Sequence, residues 1–186
     1  MEILNIFGAT AFVFLYLLRL HDAANGGGMV SVLLASQAGM AAFLLVFHRP
    51  SKKTGTWYQH LQAWTCAFMP FLLQGGEVRA AGWMVVPGLA LSVWSLVVLG
   101  RSFSISPDDR GLVEKGPYRY LRHPMYAGEM LSFLGLCLAY PSPQNLWVTG
   151  MIAAMILARI HAEESVLSGY EQYKKNVRWR MIPYVW

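Results

Sequence analysis

Three stretches of this chain, residues 29–47, 57–76 and 80–100, contain no aspartate, glutamate, lysine or arginine, and residues 1–20 carry only Glu2 and Arg19. A helix crosses the hydrocarbon of a bilayer with about 20 mostly apolar residues. In that hydrocarbon every backbone N–H and C=O must pair within the protein, which makes helices of such stretches. Four spanning helices follow. With 13% charged residues, against about 25% in soluble domains, the chain is too apolar for a water-soluble fold. The first stretch lacks a basic leading region, and His21-Asp22-Ala23-Ala24 makes a poor cleavage site, so it reads as a mature helix and not a signal peptide.

Two shorter apolar stretches, 125–140 and 146–160, flank Pro141-Ser142-Pro143-Gln144-Asn145. So tight a turn makes them a helical hairpin. The expected fold class is all-α: a polytopic integral membrane bundle of four spanning helices, a C-terminal helical hairpin and a cytoplasmic amphipathic tail helix. It is one domain over 1–186, with the four-helix part in 1–100 and a polar loop, the hairpin and the tail in 101–186. The tail keeps Val166, Leu167, Tyr170 and Tyr173 at helical spacing, with a break expected near Gly169 and an end before Pro183.

Charge placement sets an orientation. Arg49, Lys52 and Lys53 follow the second stretch; Arg101, Arg110, Lys115, Arg119 and Arg122 lie between the fourth and fifth; Arg159, Lys174, Lys175, Arg178 and Arg180 lie at the end of the hairpin and in the tail. If helices alternate, thirteen of the fifteen Lys and Arg fall on one side, leaving Arg19 and Arg79 near the other. The positive-inside rule then puts both termini and the central loop in the cytoplasm. The net charge of +5 needs no nucleic acid: a basic face toward anionic lipid accounts for it.

Within the spans, the small residues Ala35, Ser36, Ala38, Gly39, Ala41 and Ala42 make the second helix thin, which permits close packing in lipid. Pro70 and Pro87 are expected to kink their helices. Trp57, Trp83 and Trp147 sit where interface anchors would, and His60 and Gln62 read as interfacial polar residues. Cys66 and Cys137 read as packing residues, with neither disulfide nor metal-site spacing. Gly26-Gly27-Gly28 follows no strand and lacks a phosphate-loop form. Phe43, Phe47, Trp64, Phe68 and Trp94 are bulky enough to line an apolar tunnel, although packing and lipid contact account for them equally well.

The chemistry concentrates between Tyr118 and Glu129. Tyr118, Arg119, Tyr120, Arg122, His123 and Tyr126 fall within nine residues at the mouth of a membrane helix, and Pro124 suits its first turn. The free N–H groups and dipole of that helix end favour an anion beside Arg122 and His123. Tyr126 and Glu129, three apart, share a helix face. Glu129 is the sole charge in its apolar segment, and an ionisable group at such depth is a functional candidate; the alternative is a structural pair with an arginine. In the tail, Glu163 and Glu164 are adjacent, point about 100° apart and are expected to face different partners, one pairing with Arg159 or a loop arginine while the other meets a ligand. Together these residues offer cations for a carboxylate, aromatics to stack on a heterocycle and carboxylates for ribose hydroxyls. That suits an adenosine-containing cofactor without a Rossmann fold, and no GxGxxG is present.

The string Gly116-Pro117-Tyr118-Arg119-Tyr120-Leu121-Arg122-His123-Pro124-Met125-Tyr126 resembles the signature of the isoprenylcysteine carboxyl methyltransferase family. Glu163-Glu164, the Tyr170 and Tyr173 pair and Arg180-Met181-Ile182-Pro183 resemble that family's EE, Y-x-x-Y and R-x-I-P pattern. The resemblance covers roughly residues 104–184 and implies an integral membrane methyltransferase binding S-adenosyl-L-methionine on the cytoplasmic side, enclosed by the hairpin and C-terminal helix. Carried over by position, Tyr118, His123, Tyr126, Glu163, Glu164 and Arg180 form the cofactor set, joined by Arg122, Pro124 and Tyr173 of the same motifs. Glu129, Arg122 and His123 become the catalytic candidates, with Glu129 at the reacting end. A lipophilic or membrane-delivered acceptor would enter from the bilayer between helices; an isoprenylcysteine-like carboxylate, a phospholipid amine and a small thiol all remain open. The same R-x-I-P-Y ending is similar to that of sterol reductases, which makes an NADPH-dependent membrane reductase the alternative enzyme, and a non-catalytic membrane scaffold a further one.

Overall fold

A computed structural model of the chain describes residues 2–26, 28–73 and 82–186. Its elements are α1 (Glu2–Ala24), α2 (Gly28–Val46), α3 (Trp57–Phe68), α4 (Gly82–Leu99), α5 (Pro124–Ala139), α6 (Pro143–Val166) and α7 (Tyr170–Asn176), with short 3-10 turns at Met69–Leu72, Gly100–Ser102 and Gly116–Arg119. The described residues form no strand, only isolated bridges between Thr54 and Asp108 and between Leu121 and Trp179. The all-helical membrane bundle expected from the sequence is the observed fold.

Among the described residues, four helices are long and apolar enough to cross a membrane. α1, α2 and α4 correspond to expected spans and the fourth is α6. The stretch at 57–76 is described only to Leu73. It runs from Gly55, which donates to the Pro107 carbonyl at the loop face, to Leu72, whose carbonyl accepts from Gln144 at the opposite end. There α3 starts on a capping box between Thr56 and Gln59 and stops after 12 residues, where Pro70 tightens the chain into a 3-10 turn. A proline withholds its N–H and crowds the preceding turn, and 12 residues reach only about 18 Å. Positions 74–76, the start of the fourth stretch and Arg79 lie outside the described residues. α6 outgrows its expected bounds at both ends. Pro143 takes its first turn behind a Ser142 cap, and at the other end the polar residues through Glu164 find partners, so the helix runs on to Val166.

Lipid exposure fits the spans. Phe7, Phe14 and Leu17 on α1 and Leu138 on α5 lie outward, each more than half exposed, a pattern that in water would mark a sticky patch. Trp57, Trp83 and Trp147 are also exposed, at helix ends. Inside, the thin α2 buries Ala35, Ala38, Ala41 and Ala42. The closest approach is between α4 and α5, where a Cβ on Gly128 would stand 2.5 Å from the Gly88 carbonyl oxygen and 2.6 Å from the Ser92 nitrogen. Gly88/Ser92 and Gly128/Ser132 are paired small residues four apart, a seam that lets backbones touch. It fixes the depth at which α5 presents its polar residues.

The loops meet at one end of the bundle. Arg49 N–H donates to the Arg101 carbonyl at 2.8 Å, Lys52 N–H to Asp109 at 2.8 Å, and Arg122 N–H to Trp179 at 2.9 Å. The basic segments 47–56, 100–123 and 167–186 therefore share a face, as the charge placement anticipated.

Candidate functional site

The site is the junction of the loop before α5 with the end of α6 and the tail. Gly116, at φ 53°, opens the 3-10 turn, and His123 is the residue before α5, with no side-chain cap of its own. The loop is stitched to the tail by backbone: Arg122 to Trp179, and His123 N–H to the Arg180 carbonyl at 2.8 Å. The Tyr173 hydroxyl donates to the Tyr118 carbonyl at 2.7 Å, and the Trp186 carbonyl accepts from Arg180, Met181 and Ile182. The two halves of the motif are thus one folded unit. Gly169, at φ 80°, makes the break that turns α6 into α7.

Glu164 is the hub. Arg180 donates to it from Nε at 3.0 Å and Nη2 at 2.9 Å; His123 Nε2 lies 3.2 Å away, the Tyr170 hydroxyl donates, and Arg122 Nη1 stands at 3.6 Å. Two-pronged arginine contacts of this kind are among the stronger polar contacts. Arg122 itself donates to the Tyr170 hydroxyl at 2.8 Å. Burial, with the Glu164 carboxylate close by, pushes the Tyr170 phenol well above its ordinary value, so it stays a donor. Burial likewise pushes the Tyr118 phenol up.

Glu163 has its own set: the Tyr126 hydroxyl donates to it, and Arg159 Nη2 lies at 4.0 Å. The expectation that the two glutamates cannot share a partner fails at His123. Its ring sits between them, Nδ1 3.9 Å from Glu163 and Nε2 3.2 Å from Glu164, because the two ring nitrogens point from opposite edges. The same imidazole stacks on Tyr126, ring centres 5.9 Å apart. Of the candidate residues, Tyr118, Arg122, His123, Tyr126, Glu163 and Tyr173 line one small cleft, with Glu164 and Arg180 beside it through their bonds to His123 and Arg122. Pro124 is buried in the first turn of α5.

Glu129 stands apart. It lines a second, much larger cavity of about 1180 Å³ with Gln37, Cys66, Ser132 and Arg159 among apolar neighbours. Gln37 Nε2 donates to both Glu129 Oε1 and Ser92 Oγ, each at 3.3 Å. Met125 borders both spaces. Arg159 donates to the Ile105 carbonyl at 2.9 Å and lies over the Tyr126 ring at 5.1 Å. None of the aromatics considered for a tunnel lines this cavity: Phe43, Phe47 and Trp94 lie outward, while Trp64 and Phe68 pack in the core.

Sequence reasoning passed over Gln37, Ser92, Asp108 and Asp109, and counted Arg110 only among the basic residues of the loop. Gln37 carried a usable signal, a lone amide in the middle of an apolar span. Asp108 pairs with Arg110 at 3.1 Å in a buried contact, and Asp109 accepts from Ser168 and from Gly111 N–H. Burial opposes ionisation of Asp109, but these hydrogen bonds prevail and hold its carboxyl below the ordinary aspartate value.

A helical membrane protein with a tyrosine- and arginine-ringed carboxylate pair at one end, abutting a buried apolar cavity, is what fold and site define. More narrowly, the chain belongs to the phospholipid methyltransferase family, whose profile matches residues 78–176, within the isoprenylcysteine carboxyl methyltransferase-like superfamily. The uncharacterized protein YpbQ of Bacillus subtilis (strain 168) is 32% identical over 98 residues, an alignment spanning 47% of this chain and 58% of YpbQ.

Proposed function

We propose that this chain transfers the methyl group of S-adenosylmethionine to a lipophilic or membrane-delivered small acceptor. The observation that carries the reading is the meeting of two unlike spaces at Met125, a polar cleft at the end of the bundle and an apolar cavity within it. One suits a charged nucleoside cofactor, the other a molecule that travels in lipid. Family membership supports the same reaction class. The shared face of the basic loops, under the positive-inside rule, supports a cleft and termini that face the cytoplasm.

The residues of the cleft fit the cofactor chemically. Tyr118, Tyr126 and Tyr173 offer ring faces, Glu163 and Glu164 offer acceptors for hydroxyls and the sulfonium charge, and Arg122, His123 and Arg180 offer donors for a carboxylate, with Pro124 fixing the start of α5. Asp108 Oδ1 and Arg122 Nε are buried without a hydrogen-bond partner, and both residues line the cleft. The cleft as it stands holds about 90 Å³, below the roughly 300 Å³ where ligand pockets begin. Binding therefore involves parting the tail from the loop, and Gly169 is the hinge for it.

The cofactor supplies a methyl group on a sulfonium, an electrophile that needs alignment and exclusion of water. Alignment falls to His123 and Tyr126, held by the glutamate pair; the buried wall around Met125 excludes water. Glu129 faces the acceptor side. It accepts the proton of an amine, thiol or hydroxyl nucleophile, and a carboxylate acceptor would dispense with that step. The test is transfer of label from methyl-tritiated S-adenosylmethionine into the organic extract of host membranes containing the protein. Label is expected with the wild type and lost in Glu164→Gln; absence of label above membranes lacking the protein would overturn the reading.

A further inference from the structure

The family match begins at residue 78, so α1 and α2 lie outside it, yet these two helices supply much of the wall of the large cavity. Phe12 and Leu15 of α1 and Leu34, Gln37, Ala38 and Ala41 of α2 all border it. The cavity does not stop at Glu129. It continues to the opposite end of the bundle, where Arg19, His21, Asp22 and Asn25 line it. There Arg19 pairs with Asp22 at 3.2 Å and Asn25 Nδ2 donates to the His21 carbonyl at 2.8 Å, so the far end is polar and the middle apolar. At the inner end Gln37 reaches across from α2, and no hydrogen bond to the other carboxylate oxygen of Glu129 exists among the described residues. Ser92, which holds the same Gln37 amide, is fully buried.

From these observations we infer that the α1–α2 hairpin selects the acceptor. Gln37 is the positioning residue that aims the Glu129 carboxylate at the acceptor's head, and the cavity beyond takes a lipophilic chain running toward Asn25. This rests on the methyltransferase reading and adds to it an acceptor class: a chain-bearing lipophile with a hydrogen-bonding head. From Gln37 to Met29 is eight residues of helix, about 12 Å, the reach of roughly ten methylenes at ordinary carbon–carbon bond length. The accepted chain therefore has an upper length set by α2.

Cys66 borders the same cavity and Cys137 does not, which gives a readout independent of turnover. With the full chain in phosphatidylcholine vesicles, alkylation of Cys66 by N-ethylmaleimide is followed by mass spectrometry with 1-hexanol, 1-dodecanol or dodecane present, Cys137 serving as the internal reference. 1-Dodecanol is expected to protect Cys66. Gln37→Leu is expected to weaken that protection about tenfold, the scale of a lost hydrogen bond to a charged group, while leaving protection by dodecane as it was. Leu34→Trp, which fills the passage beyond Gln37, is expected to abolish protection by 1-dodecanol and spare that by 1-hexanol. Stabilisation by S-adenosylhomocysteine, measured in the same variants, shows that they remain folded at the cleft. Equal protection by both alcohols in wild type and Leu34→Trp would overturn the assignment of the hairpin, and unchanged protection in Gln37→Leu would overturn the role of Gln37. Loss of the S-adenosylhomocysteine response in the wild type, with chain-length-dependent protection intact, would overturn the cofactor reading alone.

Discussion

The α4–α5 seam offers a prediction whose size follows from the coordinates. Gly128→Ala adds a Cβ that meets the Gly88 carbonyl oxygen at 2.5 Å and the Ser92 nitrogen at 2.6 Å, where ordinary contact begins at 3.4 Å. The atoms it meets are backbone, with no side chain free to swing away, so the helices must part by most of an ångström. Overpacking of this kind costs about 3 kcal/mol at the upper end of its range. Alanine's better helix propensity returns about 1 kcal/mol, for a net loss of roughly 2 kcal/mol. Gly150 on α6 is the matched control: a Cβ there meets nothing within 4 Å, so the same substitution keeps only the propensity gain. Thermal unfolding of the purified protein in detergent should place Gly128→Ala about 4–8 °C below wild type and Gly150→Ala slightly above it. The methyl group at Gly128 also displaces the helix that carries Tyr126 and Glu129, so stabilisation by S-adenosylhomocysteine should fall with it. If the two alanine variants unfold alike, the close crossing of α4 and α5 is wrong.

Three further outcomes follow. Glu164→Ala leaves Arg180, His123 and Arg122 without their common carboxylate and is expected to cost about 3 kcal/mol, the scale of a broken buried pair; Glu171→Ala, from an exposed pair with Lys174, should be near neutral in the same melt. Tyr173→Phe removes a donor from the Tyr118 carbonyl and should cost about 1 kcal/mol and speed proteolysis of the 111–122 loop, an effect absent if the loop is held without that bond. Asp109 has a folded-state value below its unfolded value of about 3.9, so its contribution is fully present above that pH and is lost as pH falls through the folded value. The melting-temperature gap between wild type and Asp109→Asn should therefore be constant in neutral and mildly acidic solution and close only below about pH 4; a gap that does not change with pH would contradict the linkage.

Much of the fold is legible because lipid imposes one pattern: α2 and α4 are charge-free runs of the right length, and α1 carries charge only near its ends. The third run reads as one helix because hydropathy does not register that Pro70 tightens the chain into a 3-10 turn after Phe68. α6 was cut short for the opposite reason. Arg159, Glu163 and Glu164 look like the end of a membrane segment until Ile105, Tyr126, His123 and Arg180 are seen to satisfy them, and those partners lie 16 to 54 positions away in the chain. Tyr118, Arg122, His123 and Tyr126 come together because they are local, while Arg119 and Tyr120 of the same run lie exposed. Glu129 lines the other cavity, and its partner Gln37 lies 92 positions away, beyond the reach of spacing arguments.

The most direct test of the account is calorimetric titration of the purified wild-type protein with S-adenosylhomocysteine and, separately, with NADPH. The account predicts saturable binding of S-adenosylhomocysteine, weakened at least about tenfold in Glu164→Gln and His123→Ala, and no heat from NADPH. Binding of NADPH alone would contradict it.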